Sequence, residues 1–185
     1  MNARASIIAL AAAGPAFASL FVATALLSPR PRLMWNASAS APIGLYAIDV
    51  DGPFKAGDLV AIDTSEPLAT FLARRRYLPK GVPLLKHIAG IPGQTVCRSG
   101  FAITLDGIKL GDALARDRAG RVLPAWRGCH RIIAGEILPM NARVRDSFDG
   151  RYFGVLPSAR IIGRAVPVWT DAHGTGRFTW RPPAR

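Results

Sequence analysis

From residue 6 to residue 28 the chain carries no charged side chain. As a helix rising about 1.5 Å per residue, such a run can cross a hydrocarbon core of roughly 30 Å. It constrains the rest of the chain, because everything after an anchor must fold on one side of a bilayer. The competing reading is a cleaved leader, for which Ala16-Phe17-Ala18 offers a small-x-small site. Against it, the apolar stretch runs on from Leu20 to Leu27, past that cut, which the core of a leader would not do. The expected layout is a short cytoplasmic tail over residues 1–5, an anchor over residues 6–28 and one domain over residues 29–185. Arg4 and the terminal amine face Arg30 and Arg32 across the run, so the positive-inside rule does not choose an orientation.

The remainder reads as a mainly β domain. Half of the 185 residues are hydrophobic, enough for a core, and 15 Pro and 18 Gly punctuate the chain as turns do. Strands are expected over residues 44–50, 57–62, 84–90, 135–140, 152–156 and 161–169, and one helix over residues 66–77, with Leu68, Phe71 and Leu72 at helical spacing. Asp106-Gly107 between two β-prone runs predicts a two-residue type I′ hairpin. Residues 112–127 are polar and loop-like. Short strands divided by turns, with hardly any helix, predict an antiparallel β domain.

Cys97 and Cys129 are the only cysteines. An even count in an exported domain is the pattern of one disulfide and an oxidising compartment; two unrelated buried thiols would read the same. His130 beside Cys129 gives no metal-ligand spacing, and no metal or cofactor is expected. A net charge of +12 invites a nucleic-acid reading, but Arg74-Arg75-Arg76 is the only basic run and no aromatic stacking platform accompanies it. A basic surface lying against anionic lipid suits the charge better.

Two serines, Ser38 and Ser40, precede Pro42 and Gly44 just beyond the anchor. A serine hydroxyl needs a base before it attacks a carbonyl at neutral pH. His87, His130 and His173 have no companions marking a Ser-His-Asp site, and there is no Gly-x-Ser-x-Gly elbow. Lysine is the other base, provided that burial lowers its pKa from about 10.4. Lys86 lies between Leu84-Leu85 and Ile88, and strand alternation forbids Lys86 and His87 from both pointing inward.

Three motifs occur in order: Ser38-x-Ser40-x-Pro42, then Leu85-Lys86-His87-Ile88-Ala89-Gly90-Ile91-Pro92-Gly93, then Ser147-Phe148-Asp149-Gly150-Arg151-Tyr152-Phe153-Gly154. Together they resemble the successive boxes of type I signal peptidases. Ala41-Pro42-x-Gly44-Leu45-Tyr46, Gly93-Gln94-x-Val96-Cys97, Trp126-x-Gly128-Cys129 and Gly163-Arg164-Ala165-x-Pro167-x-Trp169 resemble the conjugative-transfer, TraF-type branch. The resemblance spans the anchor and nearly all of residues 36–170.

The resemblance implies a signal-peptidase-like β domain in the periplasm, held to the bacterial inner membrane by a single span. It implies Ser40 as nucleophile, Lys86 as general base, Ser38 as an oxyanion donor beside the Ser40 N–H, and Ser147 as the group orienting Lys86. Asp149 and Arg151 would form a supporting ion pair. The implied activity is serine endoproteolysis of exported precursors, the pilin precursor of a mating apparatus foremost, with hydrolysis and cyclisation both open. The alternatives are a general signal peptidase or a non-catalytic anchored assembly module. Membrane lipid is an expected partner and nucleic acid is not; oligomeric state is open. Two departures stand out: residues 141–146 replace the family's Gly-Asp-Asn-Arg opening, and Gly150 replaces a second serine.

Overall fold

The structure, a computed structural model, describes residues 13–15, 17–20, 22–23 and 33–181. The expected tail over residues 1–5 lies outside the described residues, as does most of the expected anchor over residues 6–28. The described positions of that run are helical, and no helix among the described residues is long and apolar enough to cross a membrane. The chain divides into two compact units, Met1–Pro31 and Arg32–Arg185, and the second carries the β architecture.

That unit opens with β1 (Leu33–Asn36), β2 (Ile43–Asp49) and β3 (Leu59–Ile62) and continues through β4 (Leu84–Gly90). β5 (Thr95–Ser99), β6 (Ala102–Leu105), β7 (Ile108–Asp112) and β8 (Gly128–Arg131) follow. β9 (Glu136–Pro139), β10 (Leu156–Pro157), β11 (Ile161–Asp171) and β12 (Thr179–Trp180) complete the set among the described residues. The larger sheet runs β1-β2-β11-β3-β4-β9-β10, with β12 on β11, and a second sheet runs β7-β6-β5-β8. All pairings are antiparallel.

β2 shows how the pattern works. Alternation sends Gly44, Tyr46 and Ile48 inward and leaves the residues between them half-exposed. Gly44 sits at φ +144°, where a Cβ would lie 2.2 Å from the Trp169 carbonyl, so only glycine lets β2 pass β11 this closely. Tyr46 is fully buried, and its hydroxyl donates to the Pro42 carbonyl at 2.7 Å, satisfying a polar tip while pinning the end of the serine loop. Ala41, Tyr46, Ile48, Ala61, Leu85 and Ala165 form one core cluster; Leu72, Leu84, Ile88 and Ile137 belong to another, which flanks β4. Each large aliphatic side chain buried this way contributes about 1.5–3 kcal/mol.

The expected hairpin is present: Asp106 at φ 50° and Gly107 at φ 82° join β6 to β7, the positive pair that a type I′ turn requires. Two expectations need correction. The helix over residues 66–77 is shorter, Leu68–Arg74, and the chain turns out of it where Arg76 takes φ 56°. The strand over residues 152–156 is instead a helical turn, Gly150–Phe153, with only Leu156–Pro157 extended. The cause is local, since the Asp149 carboxylate caps the turn by accepting the Arg151 N–H at 3.1 Å and Gly154 at φ 77° ends it. Leu123, in the expected polar loop, is buried with Ala113 and Tyr152, so that loop closes over the turn.

Candidate active site

β1 delivers the chain into a loop whose shape is set by one buried side chain. The Asn36 amide donates to the carbonyls of Ser38 at 2.8 Å, Pro42 at 3.0 Å and Ala41 at 3.1 Å, and its oxygen accepts the Ser38 N–H at 3.0 Å. Four local bonds to one amide wrap residues 38–42 tightly. Within this wrap the Ser40 N–H donates to the Ser38 Oγ at 3.3 Å, and the Ser38 hydroxyl lies 3.1 Å from Ser40 Oγ. The two groups expected to converge on an oxyanion therefore satisfy each other.

Lys86 comes from the middle of β4, opposite Val60 of β3, on the same strand face as Leu84 and Ile88. It is only 2% exposed, and its Nζ lies 3.1 Å from Ser40 Oγ and 2.9 Å from Ser147 Oγ. Both partners are hydroxyls. Burial pulls the ammonium down to about 8; the Asp149 charge opposes this and the Arg151 charge reinforces it. A neutral amine within hydrogen-bond reach of a hydroxyl can take its proton.

Asp149 and Arg151 form an ion pair with essentially no exposure. Arg151 Nε and Nη2 reach the two carboxylate oxygens at 2.9 and 2.8 Å; Nη1 donates to the Arg145 carbonyl, and Nη2 also to the carbonyls of Asn141 and Val144. Burial alone would lower the Arg151 pKa, but the bonds and charge of Asp149 outweigh it and the net direction is upward.

Three residues that bind the site together went unmarked in the sequence. Asn141, 3% exposed, touches Ser40, Leu85 and His87 through its side chain. Asn36 organises the serine loop. Arg98, 4% exposed, donates to the carbonyl of Arg151 at 2.5 Å and ties β5 to the turn. Nothing in their spacing distinguishes these from ordinary polar residues. Cys97 and Cys129 face each other across β5 and β8 and are disulfide-bonded. They lie on the second sheet, and Arg98 links that sheet to the ion pair.

The hydroxyl and amine open onto a groove of about 380 Å³ lined by Ser38, Ser40, Lys86, Leu84, Phe148 and Tyr152. Its lining includes Asp117, which accepts from the Tyr77 hydroxyl at 2.5 Å and from Arg121 Nε at 2.7 Å.

Residues 3–170 match the family described as signal peptidase, peptidase S26. The chain is 35% identical to a probable conjugal transfer protein TraF of Sinorhizobium fredii, over 74% of this chain and 77% of that one. It is 30% identical to the conjugal transfer protein TraF of Agrobacterium fabrum, over 73% of this chain and 81% of that one. A crystal structure of a signal peptidase I from Enterococcus faecalis aligns with a TM-score of 0.36 and 17% identity, over 63% of this chain and 98% of that one. The chain thus belongs to the signal peptidase family, peptidase S26, in its TraF-type branch.

Proposed function

We propose that this protein is a membrane-anchored serine endopeptidase that processes exported precursors with Ser40 as nucleophile and Lys86 as general base. The observation that carries the reading is the 3.1 Å approach of a buried lysine amine, with a pKa lowered to about 8, to a groove-facing serine hydroxyl. Neutral Lys86 accepts the Ser40 proton as Oγ attacks the scissile carbonyl carbon. The carbonyl π pair moves to oxygen, where the Ser40 N–H and the Ser38 hydroxyl stabilise it once Ser38 rotates out of its bond to the loop. Collapse expels the amine, which takes the proton from the Lys86 ammonium and leaves an acyl-Ser40. Lys86 then deprotonates a water that attacks the ester carbonyl, and collapse expels Ser40 Oγ, which takes that proton back from the Lys86 ammonium; an internal amine in place of the water would close a ring. Ser147 holds Nζ between the two hydroxyls, and Asp149–Arg151 supports the wall behind it.

The uncharged run over residues 6–28 supports a single inner-membrane span, and the disulfide supports a periplasmic domain. Trp35, Trp169, Phe178 and Trp180 also support it: their rings pack at 4.8–6.3 Å around Trp35 of β1, with Trp35 50% and Trp180 70% exposed. Aromatic rings of this kind favour the bilayer interface. The conjugal transfer names of two relatives support a substrate belonging to a transfer apparatus, and the pilin precursor of such an apparatus is the one proposed here over unrelated preproteins. Incubating the full chain in detergent with candidate pilin precursor and weighing the product tests this, since a cyclic product is one water lighter than the linear one. Ser40→Ala and Lys86→Ala are each expected to lower processing at least about 100-fold, and cleavage near the wild-type rate in either sinks the dyad.

A further inference from the structure

We propose that Asn141 is a positioning residue that holds the nucleophile loop in reach of the lysine, using a side-chain amide where a backbone peptide group would be insufficient. The inference rests on the Ser40/Lys86 reading above. β9 runs antiparallel to β4, and the last backbone bond on this side joins the Met140 N–H to the His87 carbonyl at 2.9 Å. One residue later the ladder is continued by a side chain. Asn141 Oδ1 accepts the His87 backbone N–H at 3.0 Å, and Asn141 Nδ2 donates to the Leu85 carbonyl at 3.2 Å. These are the two β4 backbone groups that flank Lys86, so the amide imitates the next peptide rung.

The difference from a peptide is one hydrogen. A secondary amide has a single N–H, which the Leu85 carbonyl would consume, whereas a primary amide has two. Here the second reaches the Ser40 carbonyl at 2.6 Å, a residue 101 positions away in sequence. The same amide therefore fixes both backbone neighbours of the base and the backbone of the nucleophile. Asn141 is itself held, because its N–H donates to Asp149 Oδ2 at 3.0 Å and its carbonyl accepts from Arg151 at 3.2 Å. This assigns the buried ion pair a role at one remove: it locates the residue that locates Ser40.

The test compares wild type with Asn141→Ala and the near-isosteric Asn141→Asp, which keeps the acceptor for His87 but cannot donate to Ser40 or Leu85. The full chain in detergent is assayed on an internally quenched peptide bearing Ala-x-Ala before its scissile bond, with folded fraction measured alongside. Both variants are expected to lose about 10- to 100-fold in kcat per folded molecule with KM nearly unchanged, as displaced reacting groups do. In a crystal structure of the Ala variant, Ser40 Oγ is expected beyond hydrogen-bond reach of Lys86 Nζ. A kcat within twofold of wild type in the Asp variant, or an unchanged 3.1 Å approach in the Ala variant, overturns the inference. If neither variant folds, the exchange of the Asn141 side-chain amide protons in wild type decides. Exchange as fast as in an exposed asparagine overturns it; strong protection supports it. Ser40→Ala run in parallel separates the two levels: activity surviving there defeats the dyad, whereas activity surviving only in the Asn141 variants defeats the brace alone.

Discussion

Lys86 and Arg151 are both cations withdrawn from water, 2% and 1% exposed, yet their surroundings treat them oppositely. Arg151 meets a carboxylate through Nε and Nη2 and three carbonyls through Nη1 and Nη2, so its charge is matched by an opposite charge and by acceptors. Lys86 meets only two hydroxyls, and its pKa falls toward neutrality. A buried charge either finds an opposite charge or loses its proton. The first solution fixes a buried ion pair and the second leaves an amine with a lowered pKa, which the proposed mechanism uses as its base.

The sharpest way to break the contrast is to remove each cation in turn. Lys86→Met should reduce processing by about 100- to 10,000-fold, the range for a general base. The same variant should unfold with roughly 1–3 kcal/mol more stability at pH 7, because it no longer buries an unpaired ammonium. Arg151→Met should do the reverse to the fold, lowering stability by about 3–5 kcal/mol in denaturant titration as Asp149 is left buried without its partner. If Arg151→Met proves neutral, the two cations are not the opposites described.

Proton linkage separates them next. The folded pKa of Lys86, about 8, lies below its unfolded value near 10.4, so between these pH values the unfolded chain binds more protons. Stability from this group must therefore rise as pH climbs from 8 to about 10.4, by up to roughly 3 kcal/mol, and lie at its minimum below pH 8. The rise should appear in wild type minus Lys86→Met, and its absence denies the depressed pKa. In parallel, kcat should increase with pH through about 8 and then level off, as the amine must be neutral to act.

A smaller effect refines the comparison. Opening the Cys97–Cys129 bridge with paired serine substitutions should lower stability by about 2–4 kcal/mol by loop entropy. Because Arg98 carries that sheet to the Arg151 side of the site, kcat per folded molecule should stay near wild type. Smaller still, Ser147→Ala should lower kcat by about tenfold, since Nζ keeps its bond to Ser40 while losing its orienter. A larger loss than in Lys86→Met would reassign the base.

Local order was largely legible from residue patterns. The strands at Ile43–Asp49 and Leu84–Gly90, read as β-prone and apolar runs, and Asp106-Gly107 at a hairpin, depend on neighbours a few positions apart. The turn at Gly150–Phe153 was not, because Tyr152, Phe153, Val155 and Leu156 have strand-forming character and a single cap at Asp149 overrides it. The family boxes marked Ser38, Ser40, Lys86, Ser147, Asp149 and Arg151. Asn36, Asn141 and Arg98 carried no such mark, since a buried polar side chain looks like an exposed one until its acceptors are known.

What the sequence determined by itself was the apolar run, the strand-and-turn rhythm and the flanking of Lys86 by aliphatic residues, all properties of short windows. What only the tertiary structure decided was distance. Residues 46 and 61 positions apart bring Ser40 and Ser147 to the lysine, and a contact spanning 101 positions brings Asn141 to Ser40. Strand order sets such approaches, and burial among strands from distant segments is what takes water away from Lys86 and weakens its hold on the proton.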